Sequence, residues 1–330
     1  MYFSIALFVI FQCFYLTIAV GDNTTTTTVV NDVATLFLLG VQKGGSSSLF
    51  EFLIKHPLFC SGDKHKEPHF FEHDDRYERG RRYYSRMFNE KKCSDNPQAH
   101  FIDGTPQLHY MHRVASRFNE FFSEKEKKNL KFIVMLREPV SRDYSWYQHS
   151  TRAELAEGMK FRNVKTFQEL DYKNEQLHNR YGRYVEQMKD LTKYFARNQV
   201  LVLNSESVFK NSTHNMEIIA KFLGVQFIEE WKQPFPHDDH LEYPRFKGII
   251  TCVLNHVPEL GCPFRDELGQ YYEKYNEQLY QWLRNTRQEA SMYEPLFDVF
   301  GQKYKSIPCV ENARKAFDEV LAKNDDKKSC

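Results

Sequence analysis

The 330-residue chain lacks the marks of several common functional classes. Its formal net charge is only +1, so no global field draws it to nucleic acid, and a polyanion could be held only by a local patch. It has no CxxC pair and no HExxH stretch, the spacings that most directly announce a metal centre. The thirteen histidines are scattered, as surface and loop histidines are. No GxxxxGK[ST] stretch occurs, which removes the ordinary loop of nucleotide kinases and ATPases. No lysine or arginine precedes Lys43, so the positive-inside rule cannot orient the N-terminus. There is no internal repeat.

What is present starts with an apolar run over residues 2–20, YFSIALFVIFQCFYLTIAV. It is either a long secretory signal or a short membrane anchor. Small residues at Thr17, Ala19 and Gly21 permit cleavage. Residues 1–21 are therefore expected to send the rest of the chain into the secretory pathway, with a threonine-rich linker at 22–33. Two glycosylation sequons, at Asn23 and Asn211, agree with that route. Of seven cysteines, Cys13 lies in the leader and six remain: Cys60, Cys93, Cys252, Cys262, Cys309 and Cys330. An even count in an oxidising compartment favours disulfides over a metal site.

Leu36–Leu39, Phe132–Leu136 and Val200–Leu203 are apolar without polar alternation, as parallel strands covered on both faces are. His100–Ile102 is a further candidate strand. Helical periodicity falls at Ser46–His56, Gly80–Phe88, Leu108–Phe122, Val140–His149, Tyr181–Phe195, His214–Leu223 and Arg265–Leu283. Strands alternating with helices predict an α/β fold with a doubly wound parallel sheet. Residues 232–264 read as an irregular loop region, and 302–330 as a charged, solvated tail.

Two segments carry chemistry. In LFLLGVQKGGSSSLF, residues 36–50, a buried strand runs through a Gly-Ser turn directly into a helix. That order gathers backbone N–H groups of Gly44, Gly45, Ser46, Ser47 and Ser48 at the positive end of a helix dipole, a place for phosphate or sulfate. Lys43 adds a mobile cation, and it precedes both glycines, unlike the lysine of a Walker A loop. In KFIVMLREPVSRDYSWYQHS, residues 131–150, Arg137 follows a strand and Ser145 lies two helical turns on. Alone, this fits an arginine capping a neighbouring helix. Beside the first segment it matches a nucleotide with phosphates at both ends of its ribose.

With both segments in view the chain resembles the sulfotransferases that use 3′-phosphoadenosine 5′-phosphosulfate (PAPS). The likeness is to the carbohydrate branch with the heparan sulfate 3-O- and N-sulfotransferases and the chondroitin N-acetylgalactosamine 4-sulfate 6-O-sulfotransferase. GVQKGGSSSLFEFLIKHP resembles that family's 5′-phosphosulfate loop, and FIVMLREPVSRDYSWY its 3′-phosphate segment. KEPHFFE (66–72), FIDGTPQL (101–108), GRYVEQMKDLTKYF (182–195) and YYEKYNEQLYQWL (271–283) match further motifs in order. The resemblance implies a P-loop-like sulfotransferase fold over residues 34–301 as one domain, with PAPS as donor and no metal required. It makes Glu67 the general base, a role a helix N-terminal glutamate would not have. Lys43 and the loop amides would stabilise the sulfuryl group, and Arg137 and Ser145 would hold the 3′-phosphate. His69 would contact substrate or orient Glu67, or else pack under Phe70 and Phe71. Lys66, His69 and Asp103 are the expected substrate contacts.

Two departures follow from the same comparison. Many heparan sulfate enzymes carry a lysine before the Thr-Pro pair, where this chain has Gly104. They also have a Cys…Cys loop leading to K-G-R over the cofactor. Cys252 and Cys262 fit that pair, but K-G-R is missing, and Arg265, or Arg245 and Lys247, are the available substitutes. The acceptor is expected to be a glycan of the glycosaminoglycan kind, held by RYERGRR (76–82) with Lys64, Lys66, Arg113 and Arg117. Tyr110 or Trp146 could stack on a sugar or on adenine. The expected setting is the Golgi lumen, with the membrane reached only through the N-terminal segment. A tyrosine or small-alcohol acceptor and a non-catalytic glycan-binding protein are the alternatives.

Overall fold

The computed structural model describes residues 32–62, 66–88, 91–170, 181–235, 257–285 and 302–324. The leader, most of the threonine linker, Asn23, Lys64, Arg245, Lys247, Cys252 and Cys330 lie outside the described residues.

The three apolar runs form strands, and two shorter strands join them. β1 (Ala34–Leu38), β2 (Phe59–Cys60), β3 (His100–Asp103), β4 (Lys131–Leu136) and β5 (Val200–Asn204) build one sheet in the order β2-β3-β1-β4-β5, each neighbouring pair parallel. β1 is central, with Phe37 opposite Asp103 on one side and Phe132 on the other. Between the strands run α1 (Ser46–Leu53), α2 (Gly80–Ser85), α3 (Met111–Phe121), α4 (Pro139–Ala156) and α5 (Tyr184–Thr192). After β5 come α6 (Ser205–Lys210), α7 (Ser212–Leu223), α8 (Cys262–Asn285) and α9 (Ala313–Asn324).

Successive side chains of a strand point to opposite faces, and both faces here are apolar. Phe37, Phe101, Phe132, Val134 and Val202 pack on one side with Phe118 of α3 and Met188 and Leu191 of α5. Leu36, Leu38, Ile102, Ile133, Met135 and Leu201 pack on the other with Leu49 and Phe52 of α1 and Ile219 of α7. This double cover explains why the strands show no polar alternation. Phenylalanine dominates the first face: the Phe37 ring lies 4.6 Å from that of Phe118 and 5.7 Å from that of Phe132. On the second face Trp231 is fully buried and its indole N–H donates to the Phe52 carbonyl at 2.6 Å.

The stretch expected to be a solvated tail is largely folded. Val310 bonds back to both Leu260 and Cys262, each at 2.8 Å, and this brings Cys309 beside Cys262. Those two cysteines form a disulfide with Cα atoms 5.1 Å apart. The expected Cys252–Cys262 pairing is thereby corrected. A second disulfide joins Cys60, ending β2, to Cys93. On α9 Asp318 and Glu319 stay exposed and Arg314 reaches across to the Val164 carbonyl, while Phe317 is buried against Leu155 and Val164. Four residues further on, Leu321 packs against the same cluster, so composition concealed a helical stripe.

Chain reversal at the carboxyl ends of β1, β3, β4 and β5 creates one rim. Residues 39–45, 104–107, Arg137 and Ser205 all lie on it.

Candidate active site

The turn after β1 is built so that its acceptors point into the protein. Five successive carbonyls have donors: Val41 from the Gly44 amide at 3.0 Å, Gln42 from Arg142 Nε at 3.3 Å, Lys43 from Arg137 Nη1 at 3.0 Å, Gly44 from Ser205 Oγ at 2.6 Å, and Gly45 from the Leu49 amide at 3.2 Å. The Gly44 amide is spent inside the turn on the Val41 carbonyl, and with the carbonyls turned inward the N–H groups that follow it are presented on the opposite side. No side chain caps the N-terminus of α1, so its first-turn donors and dipole are directed at the rim. Glycine is required at both turn positions. Gly45 has φ +89°, and a Cβ there would lie 2.6 Å from the Phe209 ring. At Gly44 a Cβ would meet the Met135 carbonyl oxygen at 2.9 Å.

Arg137 is thus tied to the same turn as Lys43, as adjacent parallel strands require. Ser145 and His149 share a face of α4, being one turn apart. Burial, with the charges of Lys43 and Arg152, pushes His149 down to about 4. The bond from Arg137 to the Lys43 carbonyl joins the two sequence segments.

The second half of the site is a chain of side chains. Lys66 Nζ donates to Ser47 Oγ at 2.9 Å, to Ser46 Oγ at 3.4 Å and to Glu67 Oε1 at 2.8 Å. His69 joins Glu67 Oε2 at 3.3 Å through Nε2 and Glu72 Oε1 at 2.5 Å through Nδ1. Burial alone would raise Glu67, but the bonds and charges of His69 and Lys66 outweigh it and bring the carboxyl down to about 2. The same two carboxylates, Glu67 first, lift His69 to about 9. His69 has φ +53°, and its amide is held by Thr105 Oγ1 at 3.2 Å. His69, Glu72 and His73 also bring one donor atom each within 4.8 Å of one another.

Gly104 has a geometric reason. Its amide donates to the Lys66 carbonyl at 2.9 Å. A Cβ at 104 would lie 2.8 Å from Lys66 Cγ and 3.1 Å from Cε. The lysine stem occupies the space that any larger residue at 104 would take.

Several expected contacts are corrected. Asp103 is fully buried, accepting from Tyr84 Oη at 2.8 Å and from the Thr105 amide at 3.0 Å. Burial pushes it up to about 6. It holds the Thr105 that holds His69 and does not face a substrate. Arg265 donates to the Ile307 carbonyl at 2.9 Å and to Asp266 at 2.8 Å, clamping the C-terminal segment. In the basic stretch, Arg76 bonds the Pro68 carbonyl, Arg81 bonds Asp32 and Glu126, and Arg117 bonds the Phe71 carbonyl and Asp74. These arginines brace the 66–72 segment and its surroundings, leaving Arg79 and Arg82 exposed.

Sequence reasoning missed Arg142, Ser205 and Glu72. Arg142 is 1 % exposed and paired with Asp143, whose other oxygen accepts from Tyr272. In the sequence it resembled any charged residue of an amphipathic helix. The spacing of Glu67, His69 and Glu72 was readable as a unit and was the one available signal.

Comparison with known proteins gives the following. The family model described as the sulfotransferase domain matches residues 34–248. Human heparan sulfate glucosamine 3-O-sulfotransferase 5 is 23 % identical over 268 residues, 76 % of this chain and 72 % of the relative. Human bifunctional heparan sulfate N-deacetylase/N-sulfotransferase 3 is 24 % identical over 272 residues, 76 % of this chain but 30 % of the relative. The crystal structure of a sulfotransferase from Alicyclobacillus acidocaldarius is similar in fold with a TM-score of 0.51, at 22 % identity, covering 79 % of this chain and 99 % of that one.

Proposed function

Since the chain belongs to the sulfotransferase domain family and is an enzyme of that class, we propose that it moves the sulfuryl group of PAPS to a hydroxyl or amine of a glycan. The observation that carries this reading is the uncapped N-terminus of α1, with five pinned carbonyls behind it and the Lys66–Glu67 pair in front. The residues present fit the donor: amides of Gly45–Ser48 and the Lys43 side chain for the 5′-phosphosulfate, with the Gly44 amide closing the turn on the Val41 carbonyl, and Arg137 with Ser145 for the 3′-phosphate. When bound, PAPS supplies an activated sulfur–oxygen bond whose leaving group is adenosine 3′,5′-bisphosphate.

Glu67 takes the acceptor proton as the new oxygen–sulfur (or nitrogen–sulfur) bond forms and the sulfur–phosphate oxygen bond breaks. At rest it is a poor base, because Lys66 and His69 both donate to it. Lys66 already shares its ammonium with Ser46 and Ser47. Negative charge at the start of α1 draws Lys66 towards the loop, frees one oxygen of Glu67 and raises its basicity. His69 keeps the carboxylate oriented, itself fixed by Glu72.

The glycan acceptor draws on the two named relatives, both heparan sulfate enzymes. Two disulfides support an oxidising compartment such as the Golgi lumen. Asn211 is exposed and stands free to carry a glycan at its amide nitrogen, while its Oδ1 caps α7. Radiolabelled PAPS offered with a panel of glycosaminoglycans, tyrosine peptides and phenols tests the reading. Label should enter a glycan. Label in a peptide or phenol alone would move the acceptor, and no transfer together with no binding of adenosine 3′,5′-bisphosphate would end the proposal.

A further inference from the structure

Residues 302–310 form a strap across the start of α8. The Cys262–Cys309 disulfide, the Gly261–Val310 bridge and the Arg265 bonds to the Lys305 and Ile307 carbonyls fasten it. Tyr304 packs on Gly269, where a Cβ would lie 2.2 Å from the ring. Fixed in this way, the strap brings Lys303 Nζ to 3.4 Å from Glu206 Oε1.

Glu206 stands at the rim of the sheet. Its neighbour Ser205 bonds the Gly44 carbonyl of the anion turn. Its own Oε1 lies 3.4 Å from the Glu138 amide, the residue after Arg137. Leu136 and Asn204 are register partners, so these two strand ends are side by side. Lys303 therefore reaches the rim at Glu206, beside the strand end that carries Arg137 and Glu138, although it comes from the far end of the chain.

Charge at that point needs a cation. Glu138 is buried as the cap of α4, accepting from the Val140 and Ser141 amides. Burial, with Glu206 contributing, pushes its carboxyl up to about 7. Glu206 Oε2 is buried without a hydrogen-bond partner among the described residues. A phosphate brought to Arg137 would face both carboxylates unless something offsets them.

We propose that the C-terminal strap supplies Lys303 as a cationic ligand for the 3′-phosphate of the nucleotide, beside Arg137. The inference rests on the PAPS reading and adds a residue that neither the family motifs nor the spacing of the sequence pointed to. It also gives the chain a substitute for the missing K-G-R segment, provided by a disulfide-fastened strap in place of a loop.

The test compares the full-length protein and its Lys303→Met variant by calorimetric titration with adenosine 3′,5′-bisphosphate and with adenosine 5′-monophosphate, which lacks the 3′-phosphate. The variant should bind the bisphosphate about tenfold more weakly, as for one lost charge-assisted contact, and the monophosphate unchanged. Lys303→Arg should restore the difference. Cys309→Ser, which keeps Lys303 but frees the strap, should lose it. Equal weakening for both nucleotides would mean that Lys303 only holds the fold, and the inference fails. It also fails if Lys303→Met keeps full preference for the bisphosphate, while the PAPS reading then stands. If the unmodified protein itself shows no preference for the bisphosphate, the PAPS reading falls and the inference with it.

Discussion

The two halves of the site are made of different material. The turn at residues 41–45 is a backbone device: its carbonyls are pinned by Arg142, Arg137 and Ser205, and its geometry depends on two glycines. The 66–72 segment is a side-chain device: Lys66, Glu67, His69 and Glu72 set one another's charge and direction. A backbone site resists pH and tolerates neighbours but fails when a Cβ is added. A side-chain site keeps its fold when one member changes but loses its chemistry. Substitutions in each half should therefore fail in different observables.

The largest expected effect is at Glu67. Glu67→Gln should lower kcat by about 10²- to 10⁴-fold, the usual range for a lost general base, with adenosine 3′,5′-bisphosphate bound at least as tightly, because Lys66 is no longer held by a carboxylate. Unaltered turnover with the best acceptor would remove Glu67 from the mechanism.

The backbone half should break in the opposite way. Gly45→Ala introduces a Cβ at φ +89° and 2.6 Å from Phe209, at a cost of about 1–3 kcal/mol. Nucleotide Kd should rise about 10- to 100-fold. A variant that binds as tightly as the parent protein would show that the turn does not hold the anion.

Gly104→Ala joins the two halves. The methyl would displace the Lys66 stem from both Ser47 and Glu67. A loss of about tenfold in kcat/KM is expected, equivalent to about 1.4 kcal/mol, with the melting temperature little changed. If kcat/KM holds, the Lys66 bridge is dispensable.

The smallest effect is a pH effect. His69 is raised from 6.5 to about 9 by Glu67 and Glu72, so its contribution to stability is fully present below pH 6.5 and is lost as pH rises through about 9. Glu67, lowered from 4.5 to about 2, contributes above pH 4.5 and loses that contribution as pH falls through about 2. Thermal melts of the parent protein should decline between pH 6.5 and 9, and His69→Gln should flatten that limb alone. A limb that persists in the variant belongs to another group.

These contrasts also mark what could be read in advance. The double-covered strands were visible because a parallel sheet buried on both faces selects continuous apolar runs. The Gly-Ser turn was visible because its function lies in the local backbone. β2, two residues long, left no periodic signal. The fate of the basic stretch was not visible either. Arg76, Arg81 and Arg117 find their partners on other segments, Arg81 and Arg117 more than forty residues away in sequence, and composition does not distinguish a bracing arginine from a ligand-binding one. Asp103 was misread for the same reason, since its burial comes from Tyr84 and not from its own neighbours.

Local order by itself determined the longer strands, the anion turn after β1 and the proximity of Lys66, Glu67 and His69, because each depends on residues a few positions apart. Only the tertiary structure decided that Cys262 joins Cys309, that Arg142 and Ser205 aim the turn, that Lys66 fills the space above Gly104 and that Lys303 reaches the rim. Those pairings span from 38 residues to 161, and the chain acquires them only when the strand ends are gathered on one side of a parallel sheet.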